Sequence, residues 1–268
     1  MPAFICTACG TQFPDSDAPP QQCPVCEEER QYVPPGGQTW TTREALAARH
    51  FNAWREYEPG ILGIGSQPTF AIGQRALLLR TPHGNILWDC ISNLDAATVT
   101  LIKALGGLKA IAISHPHFYT TMTEWSRAFD APVHVHAADR DWIRRPGPGI
   151  VPWEGETLSL LPGVTLIRCG GHFPGGSVLH WNKEGRGVVC AGDILSVTAD
   201  RKFVSFMRSY PNFIPLGARA VEGIDKALAA FEYDTIYGHY FDRVIPANAK
   251  EVMRTSVARY LQAIAAAR

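Results

Sequence analysis

The sequence has no net charge: 25 Lys and Arg offset 25 Asp and Glu over 268 residues. Nucleic acid is ordinarily met by a basic excess or a basic stripe, so this balance argues against a nucleic-acid partner. No run of about 18 apolar residues occurs, which argues against a membrane span. Met1-Pro2-Ala3-Phe4-Ile5-Cys6 lacks the basic start and apolar core of a secretion signal, and the expected compartment is cytoplasmic. Internal repeats and low-complexity tracts are missing too. The cysteines number seven, and an odd count in a reducing compartment argues against a disulfide framework. Against these absences stand 24 glycines and 20 prolines, which favour many turns and short strands over a helical bundle.

The length suits one large domain with a small appendage. Residues 1–35 form one unit, holding four paired cysteines and closing at Val33-Pro34-Pro35-Gly36-Gly37. Residues 36–59 read as a linker with a helix over 41–56, capped by Thr42 and broken at Pro59-Gly60. Residues 60–268 alternate strands and helices. Strands are expected at 71–80, 85–91, 108–114, 132–136, 157–161, 164–169, 177–182, 187–191 and 234–237. Helices are expected at 96–105, 121–129, 137–145, 217–231 and 247–267. The pattern is that of a layered domain with largely sequential strands.

Cys6-Thr7-Ala8-Cys9 and Cys23-Pro24-Val25-Cys26 are two C-x-x-C knuckles separated by thirteen residues. Each knuckle is a tight turn that aims two thiolates at one point. Together they supply four soft ligands, which suits tetrahedral zinc at a closed structural site. Iron in a rubredoxin-like arrangement is the rival, because tetrahedral thiolates also hold iron. The segment is too short to bury a core unaided, so a bound metal supplies much of its folding energy. Acidic residues and prolines (Pro14, Asp15, Asp17, Pro19, Pro20, Glu27, Glu28, Glu29) make it a poor phosphate-binding surface. A docking role toward a protein partner, or the stabilisation of a homodimer, is the expectation.

A second group of ligand types follows strand ends. Ser114-His115-Pro116-His117 closes the strand at 108–114, and residues i and i+2 share a face there. His172 sits in the turn Gly170-Gly171-His172-Phe173-Pro174-Gly175. Ala191-Gly192-Asp193 and Tyr237-Gly238-His239 end two further strands. Ligands of open α/β sheets gather at such strand ends. His50, His83, His134, His136 and His180 read as packed or surface residues, and Cys169 and Cys190 as packing in apolar strands.

These residues, in this order, resemble the metallo-β-lactamase superfamily, whose signature is H-x-H-x-D-H, then G-H-x-x-G, then G-D, then a late histidine. The resemblance implies an α+β fold, a four-layer αββα sandwich with its metals at one edge, and hydrolase-type chemistry. It implies that His115, His117 and His172 hold a first metal, that Asp193 bridges two metals, and that His239 serves the second. Asp89, at the end of Ile86-Leu87-Trp88-Asp89, matches an aspartate that the family places near its site. The departure lies at Tyr119-Thr120, where the family has Asp-His. A neutral tyrosine and a threonine hydroxyl are poor ligands, so the second site is degraded. Three histidines and a water still make a one-metal centre, occupied by zinc or iron. Tyr119 then either donates to an oxyanion or packs beneath the site.

The function expected is a metal-dependent hydrolase acting on a small ester, thioester or lactone through a single activated water, with Asp193 and Tyr119 in the chemistry. The alternatives are a mononuclear iron oxygenase of sulfur-dioxygenase type, on His115, His172 and Asp193, and an inactive scaffold. The stretch 196–216 carries Arg201, Lys202, Phe203, Phe206, Arg208, Tyr210 and Phe213. It reads as a lid or pocket wall for an acidic or acyl substrate, or as an ordinary surface loop.

Overall fold

The computed structural model describes residues 1–266; residue 267, the expected end of the last helix, lies outside them. The chain opens on a three-stranded sheet of β1 (Ala3–Cys6), β2 (Gln12–Asp15) and β3 (Trp40–Thr41), in the order β2-β1-β3. The one-turn helix α1 (Pro24–Glu27) and the short helix α2 (Arg43–Ala47) complete it.

Next comes a seven-stranded sheet: β4 (Phe51–Glu58), β5 (Ile61–Gln67), β6 (Ala76–Thr81), β7 (Gly84–Trp88), β8 (Ala110–Ala112), β9 (Val133–His136) and β10 (Ile150–Trp153). They lie side by side in sequence order, antiparallel from β4 to β7 and parallel from β7 to β10. Helices α3 (Ala96–Ala104) and α4 (Met122–Phe129) pack on its outer face. A six-stranded sheet begins with β11 (Thr157–Leu161), β12 (Val164–Arg168), β13 (Ser177–Lys183) and β14 (Arg186–Gly192). Two small hairpins follow, β15 (Ser196–Val197) with β16 (Val204–Ser205), and β17 (Met207–Ser209) with β18 (Ile214–Pro215). Helix α5 (Ala218–Leu228) leads to β19 (Thr235–Gly238), β20 (Val244–Ile245) and helix α6 (Ala249–Ala265). Strand β19 joins β14 in parallel, and β20 closes the edge.

Period-two alternation builds the layers. In β6, Leu77 and Leu79 enter the core between the sheets, whereas Leu78 enters the core under α3 and α4. In β14, Val188 and Cys190 face inward, whereas Val189 and Ala191 face α5 and α6. Because both faces are covered, such strands read as continuous apolar runs. The result is the αββα sandwich that the resemblance implied.

The elements before β6 differ from the sequence-based expectation. The helix expected over 41–56 stops at Ala47, and β4 follows. Good helix formers end at Arg49, and the aromatic-rich Phe51–Glu58 pairs along its length with β5. The β4–β5 hairpin carries the seven-stranded sheet across residue 60. Strand β5 is masked in the sequence by Gly63 and Gly65. Both are required by close packing: a Cβ would sit 2.8 Å from Tyr57 and 2.4 Å from Phe241, respectively. The helix expected over 137–145 is a short 3-10 segment, Ala137–Trp142, followed by β10, which went unread. Among the described residues no helix is long and apolar enough to cross a membrane.

Candidate metal centre

The four cysteines converge. Cys6 closes β1, Cys9 follows in its turn, Cys23 is the N-cap of α1 and Cys26 lies within it. The Sγ atoms of Cys6 and Cys26 stand 3.6 Å apart, as do those of Cys9 and Cys23. A disulfide would need about 2.05 Å. Four thiolates around one zinc, each at about 2.3 Å, would stand about 3.8 Å apart, so the cluster has the dimensions of a tetrahedral metal site. Cys90, Cys169 and Cys190 are buried in the sandwich, as packing requires.

The second cluster lies where strand ends of both sheets meet. His115 follows β8 in extended conformation, and the 3-10 turn Pro116–Phe118 then carries His117. The turn between β12 and β13 brings in His172, whose ring centroid is 5.0 Å from each of theirs. Asp193 follows β14. Gly192, just before it, has φ +55, and a Cβ there would meet Ser114 Oγ at 2.6 Å. That close approach lets β14 deliver Asp193 beside His115. His115 Nε2 lies 3.1 Å from Asp193 Oδ1, and His172 Nε2 lies 3.2 Å from His117 Nδ1. One ligand atom from each of these four residues falls within 4.8 Å of the others.

Their hydrogen bonds point the free nitrogens inward. The carbonyl of Met207 can only accept, so His172 Nδ1, 3.1 Å away, carries the proton and Nε2 presents its lone pair to the cluster. His239 likewise donates Nδ1–H to the Gly192 carbonyl at 3.2 Å. Burial disfavours the charged form of every histidine here. It holds His115 and His117 well below the ordinary range and brings His172 to about 4 and His239 to about 3. Burial, with the neighbouring Asp89 charge, pushes the Asp193 carboxyl up to about 8. His115 Nε2 and Asp193 Oδ1, although 3.1 Å apart, form no hydrogen bond with each other or with any other group, and both are buried. Neutral imidazoles around an unsatisfied carboxylate fit a divalent cation, which would supply the missing partner to both. Asp89 accepts the Ser114 N–H at 2.8 Å and so fixes the backbone that carries His115.

Three expectations separate at this point. His115, His117, His172 and Asp193 come together, whereas His239 lies outside that tight set, on the wall of the adjoining cavity. Tyr119 does not reach the cavity. It is buried in the core under α4, with its hydroxyl 3.4 Å from the Asp139 carbonyl, so it packs beneath the site and does not face an oxyanion there. Thr120 has turned to another use. Its carbonyl accepts the Gln12 N–H of the cysteine module at 3.1 Å, and its hydroxyl is buried without a hydrogen-bond partner.

The cavity measures about 400 Å³ and is lined by His117, His172, Asp193 and His239, together with Tyr210, Pro211 and Tyr240. Tyr210 comes from the stretch read as a lid or wall, and its hydroxyl donates to the Asp193 carbonyl at 2.7 Å. Phe206 from the same stretch is core. Arg30, Gln31 and Tyr32 of the module also line the cavity. Sequence reasoning missed them, and no local signal marks them. A larger cleft of about 840 Å³ opens at the far strand ends, around Gly60, His83 and Trp181. Among the described residues it holds no metal-ligating cluster.

Comparison with known proteins agrees with this fold. The model of the metallo-beta-lactamase superfamily matches residues 71–239. The uncharacterized protein YmaE of Bacillus subtilis (strain 168) is 46% identical over 268 residues, covering 98% of this chain and 97% of its own. The crystal structure of VMB-1 superposes with a TM-score of 0.60 at 11% identity, over 80% of this chain and 98% of that one. Rm3 metallo-beta-lactamase follows with a TM-score of 0.55 at 16% identity, over 82% and 95%. At these identities the two structures are alike in fold alone.

Proposed function

Because the chain belongs to the metallo-β-lactamase superfamily, we propose that its His/Asp cluster is a one-metal hydrolytic centre acting on a small ester, thioester or lactone. The observation that carries this reading is the convergence of His115, His117, His172 and Asp193 on one point, with His115 Nε2 and Asp193 Oδ1 otherwise unsatisfied. These four residues would hold a zinc or iron ion. Such an ion supplies Lewis acidity: it lowers the pKa of a bound water toward about 7 and polarises a carbonyl.

The chain's own groups do the rest. The Met207 carbonyl keeps His172 in the tautomer that offers Nε2, and Ser114 Oγ, 2.9 Å from His115 Nδ1, orients that ring. Phe118 and Phe173 pack against the imidazoles and are themselves fully buried. The Asp193 carboxylate faces the cavity, where it can accept a proton from an attacking water. His239 offers Nε2 to the same space, next to the Tyr240 ring.

Elemental analysis coupled to a hydrolysis panel tests this reading. Wild type should carry two metal equivalents, and His115→Ala/His172→Ala only the one held by the four cysteines. Hydrolysis of a small ester, thioester or lactone should vanish in the histidine variant. Retention of both metals by that variant would sink the proposal. Iron lost selectively from it, with dioxygen consumption in place of hydrolysis, would replace the proposal by the oxygenase reading.

A further inference from the structure

Resting on the one-metal reading, we infer that the four-cysteine module is a working part of the His/Asp centre, with Arg30 as the positioning residue that couples the two sites. Arg30 stands four residues beyond Cys26, so the cysteine cluster fixes where its backbone lies. Its Nε donates to the carbonyl of His172 at 2.6 Å, across 142 positions of sequence. Its guanidinium carbon sits 4.4 Å from the centroid of Phe173. That ring in turn lies 4.9–5.5 Å from the rings of His115, His117 and His172. One side chain of the module therefore grips both the backbone and the packing of the third imidazole.

The rest of the segment is laced to the hairpin that orients His172 from the other side. Met207 of β17 accepts from His172 Nδ1. Two residues on, Ser209 Oγ donates to the Arg30 carbonyl at 3.2 Å, and Asn212 Nδ2 donates to the carbonyls of Glu29 and Gln31 at 2.8 and 2.9 Å. Glu28 pairs with Arg30 at 2.6 Å and with Arg208 at 3.6 Å. Residues 28–31, the β17–β18 hairpin and the His172 turn thus form one closed set of contacts. Opening the cysteine cluster removes the anchor of the first member. The consequence is a His/Asp site whose metal affinity depends on the module.

Charge gives the test its sign. Arg30 is a cation beside a cation site, so on Coulomb grounds alone its removal tightens metal binding. A positioning role predicts the reverse. The probe is Zn2+ in competition with a chromophoric chelator, and Co2+ thiolate absorption reports the cysteine site separately. Arg30→Ala should keep the thiolate band and bind metal at the His/Asp site about 10- to 100-fold more weakly than wild type, the range for residues that orient ligands. Arg30→Lys, which keeps the charge but loses the planar fork, should restore only part of the loss. Should Arg30→Ala fail to fold, Asn212→Ala, which cuts the lacing at its other end, should weaken the same site several-fold with the thiolate band intact. Unchanged or tighter binding in the folded variants overturns the coupling and leaves the hydrolytic reading standing. A wild type that binds metal only at the cysteines overturns both.

Discussion

Two tyrosines show what decides a role at the scale of a residue. Tyr119 stands in the motif, between His117 and Thr120, yet its hydroxyl makes only a 3.4 Å contact with the Asp139 carbonyl. That is longer than a normal hydroxyl hydrogen bond. Tyr119→Phe is expected to change turnover less than about twofold and stability by less than about 0.5 kcal/mol. Steady-state rates and calorimetry check this, and a tenfold loss of turnover would return Tyr119 to the chemistry. Tyr210 stands outside the motif, yet it holds the Asp193 carbonyl at 2.7 Å on the cavity wall. Tyr210→Phe leaves that carbonyl without its donor, at a cost of about 1–3 kcal/mol, and should lower metal retention at the His/Asp site. A variant with wild-type melting temperature and metal content would show that the bond is dispensable.

At the scale of an element, the ends of strands carry the site, and their geometry is strict. The last residue of β14, Gly192, has φ +55 and touches Ser114. Gly192→Ala meets both the left-handed backbone and a 2.6 Å approach to Ser114 Oγ, so a loss of more than about 1 kcal/mol is expected, read as a fall in melting temperature. Much of the site was legible from such ends. H-x-H, G-H and G-D each encode a ligand within a few residues of a strand, and spacing that short fixes direction. The β4–β5 pair was not legible, because Gly63 and Gly65 answer to Tyr57 and Phe241, which are remote in sequence or across a hairpin.

Helix α4 is tied to the module by charge. Arg145 pairs with Glu124 of α4 and reaches Asp15 at 3.1 Å and Gln12 at 2.8 Å in β2, and Arg43 pairs with Glu124 at 2.8 Å. Burial raises the Glu124 carboxyl, but Arg145 and Arg43 outweigh it and hold the group below its ordinary 4.5. The folded state therefore binds this proton less readily than the unfolded chain. The contribution is complete above 4.5 and fades as pH falls through the lowered value. Glu124→Gln should lower the melting temperature at pH 7, and the gap should close at lower pH. A gap that persists well below the carboxylate range would contradict the ion-pair account.

For the whole molecule, the three cores of the sandwich share no buried residue with the small cluster around the cysteines, which meets one of them only through Trp142. Cys6→Ser/Cys9→Ser should therefore release residues 1–40 to limited proteolysis while the αββα body remains resistant, because only the module depends on metal for its core. Cleavage spread evenly along the chain would show that the body needs the module to fold.

The sequence by itself determined the cysteine knuckles and the order of His115, His117, His172 and Asp193, and the family resemblance carried by that order implied the αββα class. It also declared the loss of the acid and imidazole at Tyr119 and Thr120. The knuckles and the ligand motifs are local: a few residues of fixed backbone geometry aim the side chains. Only the tertiary structure decided that Tyr119 packs while Tyr210 lines the cavity, and that Thr120 receives the module. It alone placed Arg30 on the carbonyl of His172, 142 positions away. Those outcomes depend on how one folded surface docks against another, and short-range periodicity and spacing do not carry that information.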